Sequence, residues 1–194
     1  PSGIAKTRID QPLALGPLGL AGDAQGDTKH HGGPEKALHH YALDHYRDWE
    51  AEIGTRAVLG TAGGFGENLS TLGLTEDDVA VGDVFALGSA IIEVSQGRQP
   101  CWKLNERFAQ PDMALRVQAS GRTGWYYRVL QSGEVSPDAQ LQRIERAAPA
   151  WTIRRIWQVF YVDTLNRAEL AELADMPQLA EGWRRHARRR LETG

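Results

Sequence analysis

Cysteine is nearly missing from this chain of 194 residues: Cys101 is the only one. An intramolecular disulfide is therefore excluded, and so is an iron–sulfur cluster held by the chain's own thiols, which requires several. Long apolar runs are missing as well. None approaches the roughly 20 residues of a membrane helix, and the start Pro1-Ser2-Gly3-Ile4 lacks a charged segment followed by an apolar one. Together these absences predict a cytoplasmic protein with no membrane association. There is no excess of positive charge either: 22 Lys and Arg against 25 Asp and Glu leave a formal charge of -3, which argues against a protein that coats nucleic acid.

What is present centres on Ser95-Gln96-Gly97-Arg98-Gln99-Pro100-Cys101-Trp102-Lys103-Leu104. A lone cysteine is a packed thiol, a nucleophile or a metal ligand. Arg98 and Lys103 flank it with positive charge. Pro100 suits a loop turning into a helix, whose first turn favours a thiolate and in which Trp102, Leu104 and Phe108 are expected to anchor the packing. The strands Val81–Leu87 and Ala90–Val94, joined at Gly88-Ser89, read as a hairpin that delivers the chain to this loop.

Upstream, glycines punctuate residues 1 to 33 too often for a long helix. The glycine pair Gly32-Gly33 and the nearby cations could hold an anion, although such pairs most often only make turns. Ala37–Tyr41 reads as a strand, followed by a helix in which Leu43, Tyr46, Trp49 and Ile53 form a buried stripe that Gly54 ends. Five of the six histidines lie between residues 30 and 45. No His-Glu-x-x-His pattern or second thiol accompanies them, so a histidine that bonds an anion or fixes a loop is a better reading than zinc. Asn68 closes the glycine-dense stretch Gly63–Leu69, where its amide pairs with a heterocycle or caps a turn.

Beyond Cys101, Pro111 opens a helix that stops at Gly121, and Arg122 faces a phosphate or solvent. Gly124–Leu130 reads as a strand, with Gly133-Glu134 as the turn to a return strand over Leu141–Arg146. After Ala147-Ala148-Pro149-Ala150 the composition changes. Ile153, Ile156, Trp157 and Phe160 describe one helix, Asn166-Arg167-Ala168-Glu169 resembles the capping box of a second, and Pro177 permits a third, ending in an arginine-rich face read as solvated. These features predict domains over 1–148 and 149–194.

Taken in order, His31-Gly32-Gly33-Pro34-Glu35-Lys36-Ala37, Phe65-Gly66-Glu67-Asn68-Leu69, Gly82-Asp83, the cysteine motif and Gly121-Arg122-Thr123-Gly124-Trp125-Tyr126 resemble the MOSC domain family, in particular its YiiM-like branch with a three-helix C-terminal extension. Gly97 stands where that branch more often has proline. The resemblance implies a mainly β, α+β fold: a curved, mostly antiparallel barrel with peripheral helices and a small C-terminal helical appendage. It implies a cleft for molybdenum cofactor, with Cys101 as the molybdenum ligand and catalytic residue, and no pyridoxal phosphate. His31, Gly32, Gly33, Lys36, His40, Asn68, Arg98 and Arg122 are the implied cofactor-binding residues.

The activity implied is reduction of N-hydroxylated compounds, such as 6-hydroxylaminopurine to adenine, with electrons from a separate flavin or iron–sulfur protein. The alternatives are a non-catalytic carrier of the cofactor, or of sulfur on Cys101, and a cysteine hydrolase activated by a histidine of the 30–45 region.

Overall fold

The computed structural model describes residues 3–23 and 32–193. The strands are β1 (Leu13–Gly16), β2 (Gly19–Leu20), β3 (Leu38–His40), β4 (Asp83–Leu87), β5 (Ala90–Gly97), β6 (Trp125–Gln131), β7 (Gly133–Val135) and β8 (Leu141–Arg146). The helices are α1 (Asp44–Ile53), α2 (Lys103–Phe108), α3 (Met113–Ser120), α4 (Ile153–Tyr161), α5 (Arg167–Asp175) and α6 (Glu181–Thr193). The fold is α+β, and every pair of named strands is antiparallel.

The expected barrel is not formed. Among the described residues the strands make two open sheets, ordered β2-β1-β7 and β3-β6-β5-β4-β8, so β3 and β8 are outer strands rather than partners. The expected β6–β8 hairpin is corrected with it. β7 pairs with β1, and β8 runs beside β4. The cause is a close crossing: Gly133 lies so tightly over the β4–β5 turn that a Cβ on it would sit 2.5 Å from the Ala90 nitrogen. Glu134 is bonded there in both directions, accepting from the Ser89 N–H at 3.1 Å and donating to Ser89 Oγ at 2.8 Å. The chain therefore passes over the hairpin and returns on its far side.

Two apolar clusters support the sheets. In the larger, Leu38, Phe85, Ile92, Val94 and Trp125 from the five-stranded sheet pack with Ile153, Ile156, Phe160, Leu173 and Trp183 from α4, α5 and α6. In the smaller, Tyr41, Trp49, Phe65, Leu104, Phe108 and Val117 join α1, α2 and α3. The caps of the tail match the sequence in part. Thr152 Oγ1 accepts from the Arg155 N–H at 3.1 Å, and Asn166 Oδ1 from the Glu169 N–H at 3.2 Å. The Glu169 carboxylate turns away from the cap to pair with Arg155 at 2.6 Å.

The part of β5 that matters for function is its end. Burial alternates from Ala90 to Val94, as one buried face requires, and then Ser95, Gln96 and Gly97 are all buried. The register against β6 shifts between Val94 and Gln96. At this bulge Ser95 Oγ donates to the Glu35 carbonyl at 2.6 Å, and the Ala180 N–H donates to the Ser95 carbonyl at 2.9 Å. A bulge bends a strand and re-aims the chain beyond it. Here the residues re-aimed are Arg98 to Cys101.

Candidate functional site

The cysteine loop opens onto a cleft at the ends of β3, β5 and β6. Its lining comes from the cysteine loop and the start of α2 (Arg98, Cys101 and Lys103), from around β3 (Lys36 and His39), from the glycine-dense loop (Phe65, Gly66 and Asn68) and from the segments before β1 and after β2 (Lys6 and Asp23). Its empty volume is about 610 Å³ out to the open mouth. The lining carries four cations, Lys6, Lys36, Arg98 and Lys103, and Asp23 as its acid. Cys101 is partly exposed and lies where the loop enters α2. That helix has six residues, so the lining cations, more than a macrodipole, set the field at the thiol.

Arg98 is anchored by its backbone, whose N–H donates to the Gly124 carbonyl at 3.0 Å. Its side chain is buried, yet Nη1 has no hydrogen-bond partner among the described residues. The same holds for His39 Nε2. Burial holds the His39 imidazole well below its ordinary pKa, helped by the positive charge of Arg98 and Lys6, so the ring is neutral at physiological pH. Tyr126, across the β3–β6 ladder from His39, has its phenol pushed up by burial, with Arg98 pulling the other way; it keeps its proton. Burial also lowers the Lys36 ammonium, which sits 5.9 Å from the centre of the Tyr126 ring.

The glycine-dense loop is built from inside. The buried Glu67 carboxylate accepts from the Gly63 N–H at 2.7 Å, from the Phe65 N–H at 3.0 Å and from the Tyr46 hydroxyl. Arg107 ties the same loop by donating to the Gly64 and Gly63 carbonyls at 2.6 and 2.9 Å. Gly66 has a φ of 79°, and a Cβ there would lie 2.7 Å from the Ile4 side chain. Glycine is needed on both counts, because it allows the chain before β1 to lie against the loop and bring Lys6 to the cleft. Asn68 joins two segments of the cleft wall. Its Oδ1 accepts from the His39 N–H at 2.9 Å, and its Nδ2 donates to Asp23 Oδ2 at 2.8 Å.

The structure thus gathers Lys36, Asn68, Arg98 and Cys101 of the expected residues. It does not gather His40 or Arg122. His40 is fully buried behind the cleft, bonded to the Tyr127 hydroxyl at 3.0 Å and Thr71 Oγ1 at 2.9 Å, and burial holds its pKa at about 3. Arg122 faces neither the cleft nor bulk solvent. Its guanidinium stacks 3.7 Å over Trp49 and pairs with Glu52 at 2.6 Å. Gly32 and Gly33 do not line the cleft; Gly33 sits ahead of a short 3-10 turn over Pro34–Lys36. His31 lies outside the described residues, as does His30. Trp102 is another correction: it is 61% exposed and anchors nothing. Period-2 alternation in β3 could have identified His39, had the cleft face of the strand been known. Nothing in the spacing pointed to Lys6 or Asp23, which come from a distant segment.

The site is a partly exposed thiol, a soft donor, among cations at the bulged end of an antiparallel sheet in an α+β fold. The model for the MOSC domain matches residues 27–142, and that for the YiiM-like 3-alpha helix domain matches residues 151–194; the chain belongs to the MOSC domain family. The family is associated with molybdenum cofactor binding. Protein YiiM of Escherichia coli (strain K12) is 41% identical over 194 residues, covering 100% of this chain and 86% of that protein. A protein named Reductase from Gibberella moniliformis (strain M3125 / FGSC 7600) is 36% identical over 177 residues, covering 91% of this chain and 31% of that protein. The crystal structure of YiiM from Geobacillus stearothermophilus aligns with a TM-score of 0.86 at 38% identity, covering 97% of this chain and 89% of that one. Among the described residues no helix is long and apolar enough to cross a membrane.

Proposed function

We propose that the chain binds molybdenum cofactor in the Cys101 cleft and reduces N-hydroxylated compounds, such as hydroxylaminopurines, to amines. The observation that carries this reading is the meeting of Cys101 with Arg98 in the cleft, the arginine buried with Nη1 unpartnered. A buried cationic donor without an acceptor is costly unless a ligand supplies one, and an anionic cofactor does so. Cys101 adds a thiolate suited to a soft metal. The reductase-named relative and the family's association with the cofactor support the same reading.

Bound there, the cofactor would supply the two-electron couple that, with two protons, converts R–NHOH to R–NH2 and water. The chain's own side chains do the rest. Arg98, Lys36 and Lys103 offset the charge of an anionic group. Neutral His39 leaves a ring nitrogen for hydrogen bonding without adding charge, and the Tyr126 hydroxyl holds a proton that it can share with an acceptor. The open mouth admits water and a small base. Electrons would come from a flavin or iron–sulfur group outside these 194 residues, because one cysteine cannot hold an iron–sulfur cluster.

The test is molybdenum and pterin content per chain, for wild type and Cys101→Ser purified from a cofactor-competent host, followed by turnover of 6-hydroxylaminopurine with a chemical reductant. Near-stoichiometric metal in wild type, its loss in the variant, and multiple turnovers are expected. Metal without turnover would convert the reading to a carrier. No metal even after reconstitution with free cofactor would overturn it.

A further inference from the structure

The helical tail meets the cysteine loop along a seam beside the cleft. Gln99, two residues before Cys101, donates from Nε2 to the Tyr161 hydroxyl at the end of α4, at 3.1 Å. A Cβ on Gly97 would lie 3.7 Å from the Trp183 ring of α6. Around this seam the tail is basic. α6 carries five arginines against two glutamates, in a chain whose formal charge is -3. Glu181 is taken up by Arg184 at 2.7 Å and Arg188 at 3.2 Å. Arg185 and Arg189, both exposed, and Arg190 enter no ion pair among the described residues. The Arg190 guanidinium lies 5.6 Å from the centre of the Phe160 ring, and its Nη1 has no hydrogen-bond partner. Burial lowers the pKa of His186, and the charges of Arg190 and Arg189 push it the same way, so the field on this side of α6 is positive. Directly after Phe160 and Tyr161, the α4–α5 turn presents Val162 and Leu165, 62% and 88% exposed. Arg167 ties that turn to the end of α6 by donating to the Leu191 carbonyl at 2.7 Å.

We propose that this seam is the docking surface for an acidic electron-carrying protein, with Val162 and Leu165 at its apolar centre and Arg185, Arg189 and Arg190 as its basic rim. The inference rests on the reductase reading, which requires electrons from outside these residues. A substrate needs the mouth of the cleft open, so a carrier has to approach from beside it. Gln99, Tyr161 and α6 do not line the cleft, yet the Gln99 Cα is no more than about 7.6 Å from that of Cys101. Apolar side chains ringed by arginine have the composition of an interface, and arginines without partners in their own chain select an acidic one. A second copy of this chain is a poor occupant, because a two-fold contact would set these arginines against each other. The small patch suits the weak, brief encounters typical of electron carriers.

The full chain, purified from a host deficient in the cofactor, is titrated by calorimetry at low ionic strength with two probes, a bacterial flavodoxin and an acidic [2Fe–2S] ferredoxin. At least one is expected to bind, with an affinity that falls as salt is added. Arg189→Glu is expected to weaken that binding about fivefold or more and Leu165→Ser about threefold. Arg47→Glu, the same change of charge at an exposed position of α1, should leave it within about twofold. In cofactor-loaded protein Arg189→Glu should slow turnover driven by the carrier that binds and leave dithionite-driven turnover unchanged. Binding of neither probe would overturn the proposal, and so would equal effects of Arg189→Glu and Arg47→Glu in variants that keep the wild-type thermal transition. Single-stranded DNA bound more tightly than either carrier through Arg189 would overturn it too, by assigning the surface to nucleic acid. Failure of the reductase reading would look different: carrier binding that depends on Arg189, with no molybdenum in protein from a cofactor-competent host, would leave the docking surface standing.

Discussion

Two polar regions lie on opposite sides of the β3–β6 ladder, and they differ in one respect. Behind the ladder the titratable groups are partnered, and the exception is the indole Nε1 of Trp125, whose ring packs 4.3 Å from that of His40. His40 bridges Tyr127 and Thr71, His45 Nε2 meets Glu76 at 2.7 Å, Glu76 Oε1 accepts from the Gly124 N–H at 2.7 Å, and Arg122 stacks on Trp49. In front of it, in the cleft, His39 Nε2 and Arg98 Nη1 are buried without partners among the described residues. Adjacent histidines in one strand thus have different surroundings. A satisfied network specifies the fold, whereas an unsatisfied one is completed by a ligand.

If that distinction holds, breaking the rear network should cost stability and leave binding alone. The largest effect is expected from Glu76→Ala, which strips the partner from both His45 and the Gly124 N–H. A loss of about 3 kcal/mol in urea unfolding is expected, with normal molybdenum content in the protein that remains folded. A loss below about 1 kcal/mol would show that the rear network is not structural.

The next effect is one of pH. His40 titrates at about 3 in the fold and near 6.5 when unfolded, so the unfolded chain takes up the proton first. Its contribution is therefore fully present above about pH 6.5 and lost as pH falls toward 3. Between pH 7 and 5 that amounts to roughly 2 kcal/mol for His40 alone. His39, lowered in the same direction, adds to it. His40→Gln should flatten the pH dependence of unfolding; an unchanged slope would remove His40 as its source.

The smallest change in stability sharpens the contrast most. Arg122→Met should cost about 1 kcal/mol through the lost stacking and ion pair, with cofactor retention unaltered. Arg98→Met should cost no more than about 1 kcal/mol, because the lost bond to the Tyr126 side chain is offset by removal of a buried charge whose Nη1 is unpartnered, and should weaken cofactor retention about tenfold. Equal effects of the two substitutions on retention would erase the difference between the two faces.

Much of this was legible along the chain, for local reasons. The β4–β5 hairpin arises from alternation around Gly88-Ser89, α1 from its 3.6-residue apolar stripe ended at Gly54, and α5 from the Asn166 cap. The cysteine loop stood out because one thiol sits between two cations. His40, by contrast, was placed in the site instead of its neighbour, because a period of two separates the faces of β3 without saying which face meets the cleft. The pairing of His39 with Tyr126 and of His40 with Trp125 decides that, and this register belongs to two strands 85 residues apart in the chain, by the difference of positions 40 and 125. Arg122 was misread for a similar reason: its partners, Trp49 and Glu52, belong to a different element.

By itself the sequence determined the helices, the central hairpin, the position of the single thiol and the family, all of which rest on short-range periodicity or contiguous motifs. The open sheets in place of a barrel, the assignment of His39 to the cleft, and the delivery of Lys6 and Asp23 to Asn68 were decided only by tertiary structure. Each depends on contacts between segments far apart in the chain, where no local preference distinguishes a residue that is satisfied by the fold from one left available to a ligand.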